Sequence, residues 1–102
     1  MNDDIAVRWD ADGLVPGIVQ DARSGDVRML GYISPESLRL PVETDFVHFY
    51  SRSRQQLWKK GETSGNVLEL VDVTPDCDGD PLLLRVIPHG PPCHTGAESC
   101  FY

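Results

Sequence analysis

Leu14-Val15-Pro16-Gly17-Ile18-Val19-Gln20 is an apolar, β-branched run, and Val27-Arg28-Met29-Leu30-Gly31-Tyr32-Ile33 is a second one. Between them, Asp21-Ala22-Arg23-Ser24-Gly25-Asp26 gathers the residue types that favour turns. Two strand-like runs joined by a short polar turn predict a β-hairpin. That hairpin points to a β-rich fold, because further strand-like runs follow on the way to the carboxyl end.

Ser34-Pro35-Glu36-Ser37 has the form of a helix start, with a hydroxyl cap and proline in the first turn. Pro41 should interrupt that helix early, since proline lacks the N–H that the helix ladder needs. Phe46-Val47-His48-Phe49-Tyr50 is aromatic and β-branched, hence a strand. The segment from Arg54 to Lys60 reads as a single helical turn or an irregular loop ending at Gly61. Val67 to Val73 alternates, which predicts a strand with Val67, Glu69, Val71 and Val73 on one face. Pro81 to Val86 supplies another strand. The total is about five strands with one or two short helices. The expected fold is therefore mainly β, a small curled or barrel-like sheet. Without repeats or linker-like stretches, residues 1–102 are expected to form one domain.

At 102 residues, with 8 prolines and 9 glycines, the core is modest and metals or oligomerisation are expected to supplement it. Met1-Asn2-Asp3-Asp4-Ile5 has neither a basic region nor an apolar run, so no export signal is read there. No stretch is long enough to span a bilayer, and no membrane association is expected. Free thiols beside acids then point to reducing cytoplasm. The formal charge of −7 disfavours general nucleic-acid binding, which needs a basic footprint.

The three cysteines, Cys77, Cys93 and Cys100, cannot all pair within one chain. Three thiolates are one short of a tetrahedral zinc shell, and a catalytic zinc keeps that last position for water. Cys77 lies in Asp76-Cys77-Asp78-Gly79-Asp80. In an extended segment, the aspartates would face one way and the thiol the other. Carboxylates suit magnesium and thiolate suits zinc. An EF-hand does not fit, because its glycine position falls on Pro81 and its bidentate acid position on Ile87. The plain alternative is an acidic turn between strands. Cys93-His94 with Cys100 lacks common zinc-finger spacing, and two small buried thiols are the plain alternative there. Polar His94, Thr95, Glu98 and Ser99 count against burial. His94 either completes a closed Cys3His site or, as we favour, moves a proton beside the metal.

Four of the nine bases, Arg52, Arg54, Lys59 and Lys60, fall in one short segment before Gly61-Glu62-Thr63-Ser64-Gly65-Asn66. Arginine forks and glycine turns bind phosphate oxygens, so a pocket for a small anionic ligand is expected. A solvated strand edge with a polar hairpin loop is the alternative. Trp58 reads as a core anchor and His48 as structural.

SRSRQQLWKKGETSGN, DCDGD and GPPCHTGAESCFY, in that order, resemble the phosphoribosyl-AMP cyclohydrolase family of histidine biosynthesis. LVPGIVQDARSGDVRMLGYISPESL is similar to that family's amino-terminal hairpin, so the resemblance runs from about Trp9 to Phe101. It implies a five-stranded pseudobarrel working as an intertwined homodimer. It also implies one zinc per subunit, held by Cys77 of one chain with Cys93 and Cys100 of the other, and magnesium at Asp76, Asp78 and Asp80. The implied substrate is N1-(5-phosphoribosyl)-AMP, a small molecule with two phosphate groups, hydrolysed at N1–C6 of its adenine ring to the formimino-carboxamide ribonucleotide. Arg52, Arg54 and Lys60 would hold phosphates, assisted by Ser64 and the amides near Gly65, and His94 would carry the proton.

Lys59 stands where many family members have histidine. The sequence stops at Tyr102, leaving no room for the pyrophosphohydrolase domain fused to some relatives, so that step is expected from a separate protein. The competing functions are a non-catalytic, zinc-stabilised nucleotide-binding module and a related hydrolase of another alkylated purine. A redox role lacks a Cys-x-x-Cys pair.

Overall fold

A computed structural model describes residues 7–62, 64–90, 99 and 101. The hairpin forms as expected from β1 (Val15–Asp21) and β2 (Val27–Ile33), antiparallel from Val15↔Ile33 to Gln20↔Val27. Its turn closes through Asp21 N–H to Asp26 O and Gly25 N–H to Asp21 O, both 2.8 Å. Val15, Val19 and Asp21 point inward and are buried, while Pro16, Ile18 and Gln20 lie half-buried on the other face.

Helix α1 (Pro35–Thr44) follows at once. Ser34 and Ser37 exchange side-chain-to-backbone hydrogen bonds in a capping box, and Pro35 occupies the first turn. The helix does not stop at Pro41, contrary to the sequence expectation. It runs three residues further, to Thr44, with Pro41 buried inside it. Asp45 then ends it in the left-handed region, its N–H donating to Pro41 O. Proline costs the ladder one bond, but the buried ring and the cap beyond it let the helix continue.

Strands β3 (His48–Ser51) and β4 (Gln56–Lys59) make an antiparallel ribbon, so most of the segment from Arg54 to Lys60 is a strand rather than a helical turn or loop. The tight turn between them has Gln55 at φ 52. Strand β5 (Leu68–Pro75) pairs antiparallel with β6 (Leu82–Pro88). The register shifts between Leu70 and Asp72, and this irregularity turns the strand over. Leu68 and Leu70 face the core before it, and Val73 after it; Val71 is exposed. Val67, Glu69, Val71 and Val73 therefore do not share a working face.

Strand β6 lies parallel to β1, from Gly17↔Leu82 to Asp21↔Val86, which gives the mixed sheet order β2-β1-β6-β5. The β3–β4 ribbon reaches β5 through a Phe46↔Glu69 bridge and a 2.8 Å bond from Val47 N–H to Leu68 O. At its other side, Phe49 lies so close over Gly31 of β2 that no side chain fits there. The sheet and ribbon thus enclose one core of Val15, Val19, Ile33, Phe49, Leu82, Leu84 and Val86. Among the described residues there are six strands in two sheets, one helix and no closed barrel. Among those residues, no helix is long and apolar enough to cross a membrane.

Asp21 is a charged member of this interior. It accepts the Arg23 N–H at 2.8 Å and Arg28 Nη2 at 3.0 Å. Burial pushes its carboxyl pKa up, but these donors and the Arg23 charge outweigh it and hold the pKa at about 2. Nearby, the Ser99 hydroxyl donates to Val27 O at 2.8 Å, anchoring that residue at the turn end of the hairpin.

Candidate active site

The Asp76–Asp80 segment is the acidic turn between strands given above as the plain alternative, lying between β5 and β6, and not an extended stretch. Asp76 Oδ1 accepts the N–H groups of Asp78 and Asp80, at 3.0 and 3.1 Å, and Gly79 sits at φ 84. Wrapping the chain around one carboxylate brings the others in. Oxygens of Asp76, Asp78 and Asp80 lie within 4.8 Å of one another. Two oxygens of one shell can be no further apart than twice the metal–oxygen distance, about 4.2 Å for magnesium and about 4.8 Å for calcium. Cis oxygens around magnesium lie about 3 Å apart, so the three carboxylates are near enough to converge on one divalent cation by side-chain rotation. Asp76 and Asp78 are exposed and Asp80 half-buried, which leaves room for the waters that magnesium keeps.

Cys77, between two of these acids, is an exposed free thiol. A soft donor thus lies exposed to solvent beside three hard ones. Cys93, His94 and Cys100 lie outside the described residues.

The basic segment forms two adjoining cavities. One, of about 480 Å³, is lined by three bases, Arg54, Lys59 and Lys60, and one acid, Glu62, with Gly61 and Ser64 at the loop and Ser51, Ser53 and Trp58 shared with the other. The loop rim is shaped by glycine: Gly61 has φ 83, and a Cβ there would strike the Asn66 and Val67 backbone. Gly65, at φ 80, donates its N–H to Gly61 O at 2.8 Å. The Ser64 hydroxyl accepts the Asn66 N–H. Lys60 Nζ lies 5.9 Å from the Trp58 ring centroid and Lys59 Nζ 4.7 Å from that of Phe46. Trp58 packs against the core at 5.4 Å from Phe49, the anchor its sequence context suggested.

Arg52 departs from this group. Its guanidinium sits 3.9 Å over the Tyr32 ring, in a second cavity of about 570 Å³ that shares Ser51, Ser53 and Trp58 with the first. Nothing in the sequence marks Tyr32; an aromatic on an edge strand gives no local sign of an arginine arriving from another hairpin. His48 is structural, its Nδ1 2.9 Å from Phe46 O.

A small mainly β domain with a carboxylate triad on one turn and a basic, glycine-rimmed cleft on another is equipped for an anionic ligand and a divalent cation. Known proteins narrow that class. A family model described as phosphoribosyl-AMP cyclohydrolase matches residues 29–102. A phosphoribosyl-AMP cyclohydrolase of Haloquadratum walsbyi is 52% identical over 99 residues, 97% of this chain and 75% of the relative. The histidine biosynthesis bifunctional protein HisIE of Thermus thermophilus is 55% identical over 97 residues, 95% of this chain and 45% of the relative. That of Salmonella typhimurium is 54% identical over 94 residues, 91% and 46% respectively. The chain thus spans about half the length of the bifunctional relatives it matches. The chain is an enzyme and belongs to the phosphoribosyl-AMP cyclohydrolase family.

Proposed function

We propose that this enzyme hydrolyses the N1–C6 bond of the adenine ring in N1-(5-phosphoribosyl)-AMP, in the cytoplasm, as a step of histidine biosynthesis. The observation that carries this reading is the 52% identity to a cyclohydrolase that aligns with 97% of the chain. Arg54 and Lys60 bind phosphate oxygens in the basic cleft, with the Ser64 hydroxyl donating to the same group. Gly65 serves by shaping the turn, since its own N–H is engaged by Gly61. Arg52 contacts another part of the ligand, from the neighbouring cavity. Asp76, Asp78 and Asp80 hold magnesium, which offsets phosphate charge near a protein of formal charge −7.

Cys77, Cys93 and Cys100 hold one zinc per subunit, drawn from both chains of a homodimer. Zinc, when bound, supplies a Lewis acid that makes hydroxide available at neutral pH. His94 carries the proton that must reach N1 as the C6–N1 bond breaks.

Ring opening of N1-(5-phosphoribosyl)-AMP, followed by ultraviolet absorbance with magnesium present, tests the reading before and after zinc removal. Turnover that vanishes with zinc and returns on its re-addition is the expected result. A folded, zinc-loaded protein that binds nucleotide without turnover would instead be a binding module.

A further inference from the structure

The basic cleft can seat phosphates, but a nucleotide also has a flat ring that needs a surface of a different kind. The second cavity has that character. Its walls include Met29, Leu30, Phe49 and Tyr50, so it is largely apolar and aromatic. The arginine in it is already paired: Arg52 covers the Tyr32 ring at 3.9 Å, well inside cation–π range. Its volume of about 570 Å³ lies within the range of small-ligand sites. Ser51, Ser53 and Trp58 line both cavities, so the two adjoin.

We propose that the cavity between β2 and the β3–β4 turn is a purine-ring subsite, with Tyr32 and Arg52 forming the stacking shelf for the base. The inference rests on the nucleotide reading above and assigns the substrate's base to one cavity and a phosphate to the other. The chemistry divides naturally. Stacking on an aromatic or guanidinium face tolerates any base and needs no hydrogen-bond partner, while Arg54, Lys59 and Lys60 suit charge. Two further features reinforce the shelf. Tyr32 is half-buried on β2, opposite Pro16, so a strand rather than a loop holds its ring. Gly31 beside it lets Phe49 close the cavity floor against the strand.

The test is equilibrium binding of two probes, AMP and ribose 5-phosphate, which share a phosphate and sugar but differ in the base. Wild-type protein should bind AMP more tightly. Tyr32→Leu should weaken AMP binding roughly 5- to 150-fold, the range for losing one base–aromatic stack, and leave ribose 5-phosphate unchanged. Tyr32→Phe keeps the ring and should retain AMP affinity, whereas Arg54→Ala should weaken both probes. Wild-type protein that gains nothing from the base overturns the subsite, as does a Tyr32→Leu protein that loses both probes equally or neither. Failure of the wild type to open N1-(5-phosphoribosyl)-AMP is separate: it removes the reaction while a base-dependent AMP signal keeps the shelf.

Discussion

Replacing Gly31 with alanine would drive a methyl group into the ring of Phe49. A Cβ at that position would lie 2.5 Å from Phe49 Cδ1 and 2.6 Å from Cε1. Carbon atoms prefer about 3.5–4.0 Å, so the ring must retreat by roughly 1 Å. It has little space to do so, being 1% exposed and packed against Trp58. Overpacking of this kind costs about 1–3 kcal/mol. Alanine also restricts the unfolded chain, which returns about 0.4–1 kcal/mol. The net loss is about 0–2.6 kcal/mol, or a melting temperature lowered by up to roughly 20 °C for a domain of this size. Urea unfolding and thermal melts at fixed protein concentration measure it. Phe49→Leu, though destabilising alone, removes the ring atoms in the way, so the double variant should recover about 0.5–3 kcal/mol against additivity. Gly31→Ala more stable than wild type, or strictly additive with Phe49→Leu, would refute the close-packing account.

Asp78→Asn should weaken magnesium binding by on the order of tenfold, because an amide replaces one of three converging carboxylates; manganese titration by electron paramagnetic resonance reads this directly, and an unchanged affinity would remove the triad as a cation site. Asp21, with its carboxyl held at about 2 against an ordinary 3.8, contributes stability that is fully present above the ordinary value and is lost as pH falls through 3.8 toward 2. Melting temperature recorded from pH 6 to pH 2 should show that acid loss in wild type and a shallower one in Asp21→Asn. Ser34→Ala removes half of the α1 capping box and should cost about 1 kcal/mol, read as a fall of roughly 4–8 °C in melting temperature with little change in nucleotide binding.

The local elements were legible in the chain itself. Val15–Asp21 and Val27–Ile33 advertise a hairpin by their apolar runs and the turn between them, and Ser34-Pro35 announces a helix start. Leu82, Leu84 and Val86 alternate inward as their spacing implies. The residue types at the candidate site were legible too, because carboxylates, a thiol and clustered bases have chemistry wherever they fold. Periodicity tells which face a residue occupies, but not which strand lies beside it. The parallel union of β1 with β6 is therefore a tertiary decision, made when Val15, Val19, Leu82, Leu84 and Val86 bury one common surface. The turnover in β5 followed from its irregular register, and the strand at Gln56–Lys59 from pairing with β3. Asp76, Asp78 and Asp80 meet because one side chain captures two backbone N–H groups, a fold of the turn rather than strand alternation. Arg52 and Arg54, two residues apart within the β3–β4 turn, line different cavities, and only the first lies over Tyr32 of β2. The sequence by itself determined the chemistry on offer; the tertiary structure decided which groups share a site, since non-local packing sets where each turn and strand edge comes to rest.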